Sequence, residues 1–382
     1  MKILYHHRIA SKDGQYVHIE EIVTALRELG HEVLLVEPNI TGSKNFGESS
    51  GLVKQIRRFL PGFIHEIVEF VYCFYDYFRL IKAIKEFKPN FIYERYNLFF
   101  PSGIWAKKRL HIPLILEVNA PLYDERSNHD SISLNKLAQW SESYVWRNAD
   151  FVLPVTRVLA DSVVSRKVDP NKIKVIPNGI NRKQFSTGID SEEISKRYGL
   201  EDKLVLGFTG FIREWHRLDR VIDVINQSDN KNWHLLIVGD GPARIKLEKQ
   251  ANDLNVNDRV TITGIVERES IVKYVSTFDI ALQPDVVSYA SPLKLFEYLA
   301  LGKAIIAPDK ENIREILSDG NNALLFEPGN DSDFTEKLLR LCNSESLRRD
   351  LSIGALNLVK TEELYWDSNA ETIVELYNKL VN

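Results

Sequence analysis

Leu235-Leu236-Ile237-Val238-Gly239-Asp240-Gly241-Pro242 is the stretch that decides the fold. Four consecutive apolar residues have strand length, the glycines permit a tight turn, and Pro242 suits the first position of the helical pattern that follows. The same succession recurs outward in both directions. Before it come Ile3-Leu4-Tyr5, Val33-Leu34-Leu35-Val36, Phe91-Ile92-Tyr93, Leu114-Ile115-Leu116, Phe151-Val152-Leu153 and Ile173-Lys174-Val175-Ile176, then Leu204-Val205-Leu206. After it come Val260-Thr261-Ile262, Ile280-Ala281-Leu282, Ala304-Ile305-Ile306 and Ala323-Leu324-Leu325-Phe326. Continuous apolar runs separated by helical patterns indicate parallel sheets covered on both faces, so the chain reads as an α/β protein of two Rossmann-like halves. The polar stretch from Asn178 to Asp202 is the best linker. It sets domains at 1–180 and 181–362, and the final helical pattern, 363–382, is expected to join the first. Ligands of such sheets bind beyond the carboxyl ends of the strands, so two such domains facing each other would line a cleft with those loops.

Composition narrows the function classes. The 382 residues carry 49 Lys/Arg against 53 Asp/Glu, a net −4 that argues against a dedicated nucleic-acid binder. Two cysteines, Cys73 and Cys342, are too few and too far apart for a disulfide scaffold or a cysteine zinc site. The short apolar run at Ile3 makes no signal peptide, and no run of about 18 apolar residues occurs, so a cytoplasmic protein without a spanning helix is expected. No His/Cys/Asp/Glu spacing suggests a metal site, and no Gly-x-Ser-x-Gly elbow occurs.

Four strand-end loops could carry chemistry. The dinucleotide fingerprint wants a third glycine where Arg244 stands, which removes a nicotinamide cofactor. In Ser291-Pro292-Leu293-Lys294-Leu295-Phe296-Glu297, Ser291 is a good N-cap and Pro292 a good first helical residue, so the free amides of the first turn suit a phosphate. Glu297, one and a half turns on, could accept hydrogen bonds from two ribose hydroxyls; the plainer reading is a capped helix with a surface Lys294/Glu297 pair. Arg213, His216 and Arg217, in the loop after Phe208, could clamp a diphosphate, or form a solvated basic loop. In the first half, Lys12-Asp13-Gly14 leads to His18 on the first turn of a helix, a candidate to contact an acceptor or sugar hydroxyl and equally a packed histidine. Glu94-Arg95 and Glu117-Val118-Asn119 are further polar groups at strand ends.

Taken together these segments resemble the family 4 retaining glycosyltransferases of the GT-B fold over nearly the whole chain. The resemblance rests on Val175-Ile176-Pro177-Asn178-Gly179-Ile180, Ile237 to Pro242, Asp258-Arg259-Val260 with Gly264, Glu297-Tyr298-Leu299-Ala300-Leu301-Gly302-Lys303, and the opening unit from Asp13-Gly14 to Gly30-His31-Glu32-Val33. It implies a nucleotide-diphosphate sugar as co-substrate, no other cofactor and no metal, and transfer with retention of anomeric configuration. The donor side would comprise Glu297 on the ribose, the Ser291, Pro292 and Leu293 turn on the phosphates, and Lys294, Gly239, Gly210, Tyr289 and Val266. The acceptor side would comprise Gly14, Asn119, Glu94 and Arg95, with His18, Arg213, His216 and Arg217 as catalytic candidates. Four positions depart from the family's pattern. Tyr289 replaces the first of its two glutamates, leaving the donor sugar to Asp285, Tyr289 or backbone groups; Phe211 and His216 replace its arginine and lysine; Asn119 replaces its histidine. Such changes resemble a bacterial subgroup making surface polysaccharides. A nucleotide-sugar epimerase or hydrolase, or a non-catalytic partner of the same fold, are the alternatives.

Residues 59–100 hold 14 of the 39 aromatics, and residues 51–110 carry 11 Lys/Arg against 5 Asp/Glu. Phe63, Ile67, Phe70, Phe74, Phe78 and Ile81 follow helical spacing, which predicts that most pack on the sheet while the remainder contact an anionic membrane bearing a lipid-linked glycan acceptor. Residues 1–180 carry 24 positive and 20 negative side chains, or +4, which leaves −8 for the rest. The near-neutral total therefore conceals a basic acceptor half.

Overall fold

In a computed structural model, which describes residues 1–9, 14–38, 62–129 and 132–382, the chain divides into two compact units. The first comprises Met1–Pro177, Tyr289–Ser291 and Trp366–Asn382; the second comprises Asn178–Ser288 and Pro292–Tyr365.

The first unit contains β1 (Lys2–His6), α1 (Gly14–Glu28), β2 (Glu32–Val36), α2 (Gly62–Phe87), β3 (Phe91–Arg95) and α3 (Ser102–Leu110). It continues with β4 (Leu114–Val118), α4 (Leu122–His129), α5 (Asn135–Asn148), β5 (Phe151–Pro154) and α6 (Arg157–Ser165). The strands form one parallel sheet in the order β2-β1-β3-β4-β5. β3 and β4 are buried along their whole length, as strands covered on both faces must be.

The second unit contains α7 (Glu192–Tyr198), β6 (Leu204–Thr209), α8 (Asp219–Gln227), β7 (Trp233–Val238), α9 (Arg244–Asp253), β8 (Val260–Ile262), α10 (Ile271–Ser276) and β9 (Ile280–Leu282). Then follow α11 (Leu293–Ala300), β10 (Ala304–Pro308), α12 (Glu311–Arg314), β11 (Ala323–Phe326), α13 (Asp331–Asn343) and α14 (Glu345–Thr361). Its parallel sheet has the order β11-β10-β9-β6-β7-β8, so the strand order reverses between β9 and β6. That reversal is where doubly wound sheets take their ligands. The last helix, α15 (Trp366–Val381), returns to the first unit, where Trp366 meets His18 edge-on at 4.9 Å and Tyr377 stacks on Phe91 at 4.9 Å.

Two expectations change. The run Ile173 to Ile176 makes no sixth strand; it forms one bridge, Val152 with Ile173. Lys174 and Ile176 donate to the Val152 and Pro154 carbonyls at 3.1 and 3.0 Å, but the return bond at Pro154 needs an N–H that proline lacks, and the ladder stops.

The aromatic helix presents the face opposite to the one its spacing favours. Glu66, Cys73, Asp76, Leu80 and Ile84 of α2 are buried, whereas Phe63, Ile67, Phe74 and Phe78 are exposed, Phe78 to 68%. Phe70 and Ile81 are partly buried against the core. Polar anchors set the rotation. Asp76 meets His6 at 2.9 Å and accepts from the Ser102 hydroxyl at 2.8 Å. Glu66 accepts from the Ser133 and Leu134 amides at 2.8 and 2.6 Å. Turning these carboxylates outward would strip buried donors of partners, a larger cost than exposing several rings. The basic segment 51–61, with Phe59, and the Lys12-Asp13 turn lie outside the described residues.

Candidate active site

The loops after β6 and β7 lie backbone against backbone. The Gly210 amide donates to Val238 O at 3.0 Å and the Ile212 amide to Asp240 O at 2.8 Å. Gly239 has φ +143°, and a Cβ there would stand 2.1 Å from Gly210 O, so only glycine permits this approach. α11 is pinned beneath β6 by the buried Tyr298 hydroxyl, which accepts from the Thr209 amide at 2.9 Å. Its N-terminus differs from the expected one. Pro292 is the N-cap, at φ −72° and ψ 116°, and the helix begins at Leu293. Ser291 is buried and groups with the first unit, so Leu293 and Lys294 supply the first helical amides, which have no carbonyl one turn below to bond.

Glu297 is buried, 7% exposed, and its Oε1 accepts from Arg268 Nη1 at 2.5 Å. Arg268 stacks over Phe185 at 5.3 Å, and half-buried Val266 precedes it by two residues. Lys294 is no surface partner of Glu297. It is half-buried, with Nζ 3.8 Å from the Phe208 ring centroid. Burial, only partly opposed by the Glu297 charge, lowers the Lys294 ammonium to about 7.

The loop after β6 holds its cations differently from the expected clamp. His216 packs edge-on to Phe208 at 4.9 Å, and its Nδ1 accepts from the Arg213 amide at 3.2 Å. Burial, then the charges of Lys294 and Arg213, push the imidazole down to about 2, so His216 is neutral and carries no charge for a diphosphate. Arg217 pairs with Asp219 at 3.4 Å and Asp331 at 3.3 Å. Arg213 is exposed between the Phe211 and Trp215 rings, at 4.9 and 4.8 Å. Asp285 pairs with Lys310 at 2.6 Å. Tyr289 groups with the first unit: its ring packs against that unit's core and its carbonyl accepts from Thr156 Oγ1 at 3.0 Å. Burial and the neighbouring Glu125 carboxylate raise its phenol well above the ordinary range. A donor contact by Tyr289 gains no support from that placement.

In the first unit, most of the expected acceptor-side residues belong to buried networks. Glu94 lies 2.7 Å from His6 Nδ1 and fills the space where a Cβ on Gly103 would stand, 1.7 Å from its Oε2. Arg95 donates to Glu117 Oε1 at 2.7 Å, and the Tyr93 and Tyr5 hydroxyls donate to Oε2 at 3.0 and 3.3 Å. His18 sits in the second turn of α1, not the first, 6% exposed, with Nδ1 3.4 Å from Glu117. Burial lowers it to about 4, which makes it a packed, neutral histidine in this structure. Gly14 opens α1, and among the described residues nothing lies near its Cβ position. Asn119 alone among these candidates keeps a buried side-chain oxygen without a partner.

Arg268 and Arg8 lie in no recognised motif, so only the structure brings them forward. Arg8 follows β1 between the Tyr72 and Phe100 rings, at 4.1 and 3.9 Å.

Comparison with known proteins adds to this geometry. The family model for glycosyltransferase family 4 matches residues 12–184, and that for glycosyl transferases group 1 matches residues 190–357. The chain is 23% identical over 259 residues to an alpha-D-kanosaminyltransferase of Streptomyces kanamyceticus, covering 65% of this chain and 66% of that protein. It is 22% identical over 241 residues to an uncharacterised glycosyltransferase of Methanocaldococcus jannaschii, covering 62% of this chain and 60% of that protein. The matches thus span less than two thirds of either relative. Among solved structures, Anabaena Alr3699/HepE in complex with UDP superposes with a TM-score of 0.76 at 15% identity, covering 99% of this chain and 100% of that one. WaaG, a glycosyltransferase involved in lipopolysaccharide biosynthesis, superposes with a TM-score of 0.68 at 16% identity, covering 98% and 99%.

Proposed function

We propose, from the premise that this chain belongs to the group 1 and family 4 glycosyltransferases and has their GT-B fold, that it transfers a sugar from a nucleotide-diphosphate donor with retention of configuration. The observation that carries the reading is Glu297, buried about one turn beyond the Leu293 and Lys294 amides and held by Arg268. A carboxylate at that place accepts two vicinal ribose hydroxyls while the helix N-terminus takes the diphosphate. The UDP complex of the structurally similar Anabaena protein supports a nucleotide ligand for the fold.

In the proposed step the bond from the anomeric carbon to the diphosphate oxygen breaks, and its electron pair stays on that oxygen. The acceptor hydroxyl attacks from the same face and gives its proton to the departing oxygen. The residues of the second unit act by orienting the donor and by meeting the charge that develops on the diphosphate, where each well-placed donor contributes about 3 kcal/mol. Amides and fixed cations meet that charge, so the reaction is proposed to need no metal, and turnover should survive excess EDTA. The test is turnover of a panel of nucleotide sugars with and without glycan or lipid-linked acceptors, followed by proton NMR. Acceptor-dependent release of nucleoside diphosphate with an axial-to-axial or equatorial-to-equatorial product supports transfer. Release or isomerisation independent of acceptor would support a hydrolase or epimerase instead.

A polysaccharide or lipid-linked acceptor presented at the inner face of an anionic membrane is part of the same proposal. None of the described helices is long and apolar enough to cross a membrane. On α2, at 100° per residue, Phe63, Ile67, Val71, Phe74 and Phe78 share one exposed stripe that Lys82 and Lys85 continue. Trp105 touches Phe74 at 5.1 Å, exposed Trp140 stacks on Tyr144 at 5.1 Å, and Lys108 lies over Tyr144 at 4.8 Å. Aromatic rings beside cations suit the headgroup region of an anionic bilayer. Vesicles containing phosphatidylglycerol should float the protein, and the double change Phe74→Ser, Phe78→Ser should cut binding about tenfold or more. Equal binding by both forms, or none by wild type, contradicts membrane docking through this face.

A further inference from the structure

We infer that Lys294 is the residue whose positive charge meets the donor diphosphate, in place of Arg213, His216 and Arg217 of the loop after β6. The inference rests on the donor reading proposed above and deepens it by naming the cation.

The geometry carries the argument. Lys294 comes from α11, yet its ammonium lies over Phe208, the penultimate residue of β6, and a Cβ on Gly210 would stand 3.3 Å from Nζ. The cation therefore occupies the mouth of the β6 loop, beside the first amides of its own helix. It has no hydrogen bond or ion pair among the described residues, whereas its neighbours are committed. Arg217 and Arg220 are paired with Asp331, Arg244 with Asp240 and Glu248, and Arg268 with Glu297. Arg213 is held outward on two rings, and His216 is neutral. Half-burying an ammonium without a counter-charge is costly, and an incoming diphosphate removes that cost. The chemical balance is simple: Lys294 keeps its proton throughout, and its charge offsets the negative charge gained by the leaving phosphate oxygen.

The pH behaviour has a definite sign. The charged and titratable groups facing Lys294 are Glu297 on its own helix, which Arg268 pairs, and His216 on the β6 loop, which Arg213 also reaches. Because burial lowers the ligand-free ammonium to about 7, the protein must take up a proton to bind diphosphate at higher pH. Affinity therefore falls as pH rises from 6.5 to 8.5.

Calorimetry with uridine, thymidine, guanosine, adenosine and cytidine diphosphates and the corresponding nucleosides, at both pH values, tests the assignment. Lys294→Met should weaken the preferred diphosphate about 10- to 100-fold, leave the nucleoside's affinity unchanged and lower kcat/KM by about 10²- to 10³-fold. Lys294→Arg should retain diphosphate binding and lose most of the pH dependence that wild type shows, which separates the lysine from the phosphate's own titration. Wild-type diphosphate affinity in a folded Lys294→Met protein, or a larger loss in Arg213→Met, overturns the assignment while leaving the donor reading intact. Failure of wild type to bind any diphosphate overturns the donor reading, and this assignment with it.

Discussion

Glu297→Ala should lower kcat/KM for the nucleotide-sugar donor by about 10²- to 10³-fold while the protein stays folded. A carboxylate accepting two ribose hydroxyls makes two charge-assisted hydrogen bonds, and losing both removes about 3–4 kcal/mol. The fold should survive because Arg268, the partner left behind, has a side chain 27% exposed and reaches water, unlike the guanidinium of a fully buried pair. Glu297→Gln keeps the size and one acceptor but loses the charge, and should fall between wild type and the alanine variant. Circular dichroism with initial rates checks this. Wild-type turnover in folded Glu297→Ala would refute the ribose assignment.

The largest stability effect should come from the first unit's buried ion cluster. His6 is held between Asp76 at 2.9 Å and Glu94 at 2.7 Å, all three nearly inaccessible. Burial alone would lower the imidazole, but the two carboxylates outweigh it and raise His6 to about 10. Asp76 resists burial's upward push because His6, Ser102 and Arg8 hold it down to about 2. His6→Ala would leave buried Glu94 without its cation and Asp76 with only Ser102, Arg8 and Arg79, at a cost of about 3–5 kcal/mol, or roughly 6–20 °C in the melting temperature of a unit this size. The pH dependence follows by linkage. His6's contribution is fully present below its unfolded pKa of about 6.5 and is lost as pH rises toward 10; Asp76's is present above its unfolded value of 3.8 and is lost as pH falls toward 2. Denaturant titrations of wild type at pH 6.5 and 9.5 should show the loss on the alkaline side, and His6→Ala should not share it. A flat profile, or a His6→Ala protein as stable as wild type, contradicts a charged His6.

The alternation of apolar runs with helical patterns made the two parallel sheets legible, because a strand covered on both faces is mostly a continuous apolar run. The helix after Ser291 was legible to within one residue: Pro292 is its N-cap rather than its first residue, and Glu297 follows at a fixed helical distance. What stayed hidden depends on tertiary pairing. Periodicity put the wrong face of α2 inside, because Asp76 and Glu66 have buried partners on other elements that no local pattern reveals. Glu94 and Arg95 looked like open strand-end groups for the same reason, and His18 like an open helix-start group as readily as a packed one, until His6, Glu117 and Trp366 enclosed them. Lys294 resembled a helix-surface lysine because the Phe208 ring and the Gly210 backbone that receive it lie more than 80 positions away in sequence.

The most direct test of donor binding is a thermal-shift titration of the intact protein with the five nucleoside diphosphates, run beside Glu297→Gln. One diphosphate at about 100 times its Kd should add about 2.7 kcal/mol, a rise of roughly 5–10 °C, and the rise should shrink sharply in the variant. No shift with any diphosphate, or the same shift in wild type and variant, would contradict a nucleotide-sugar site built around Glu297.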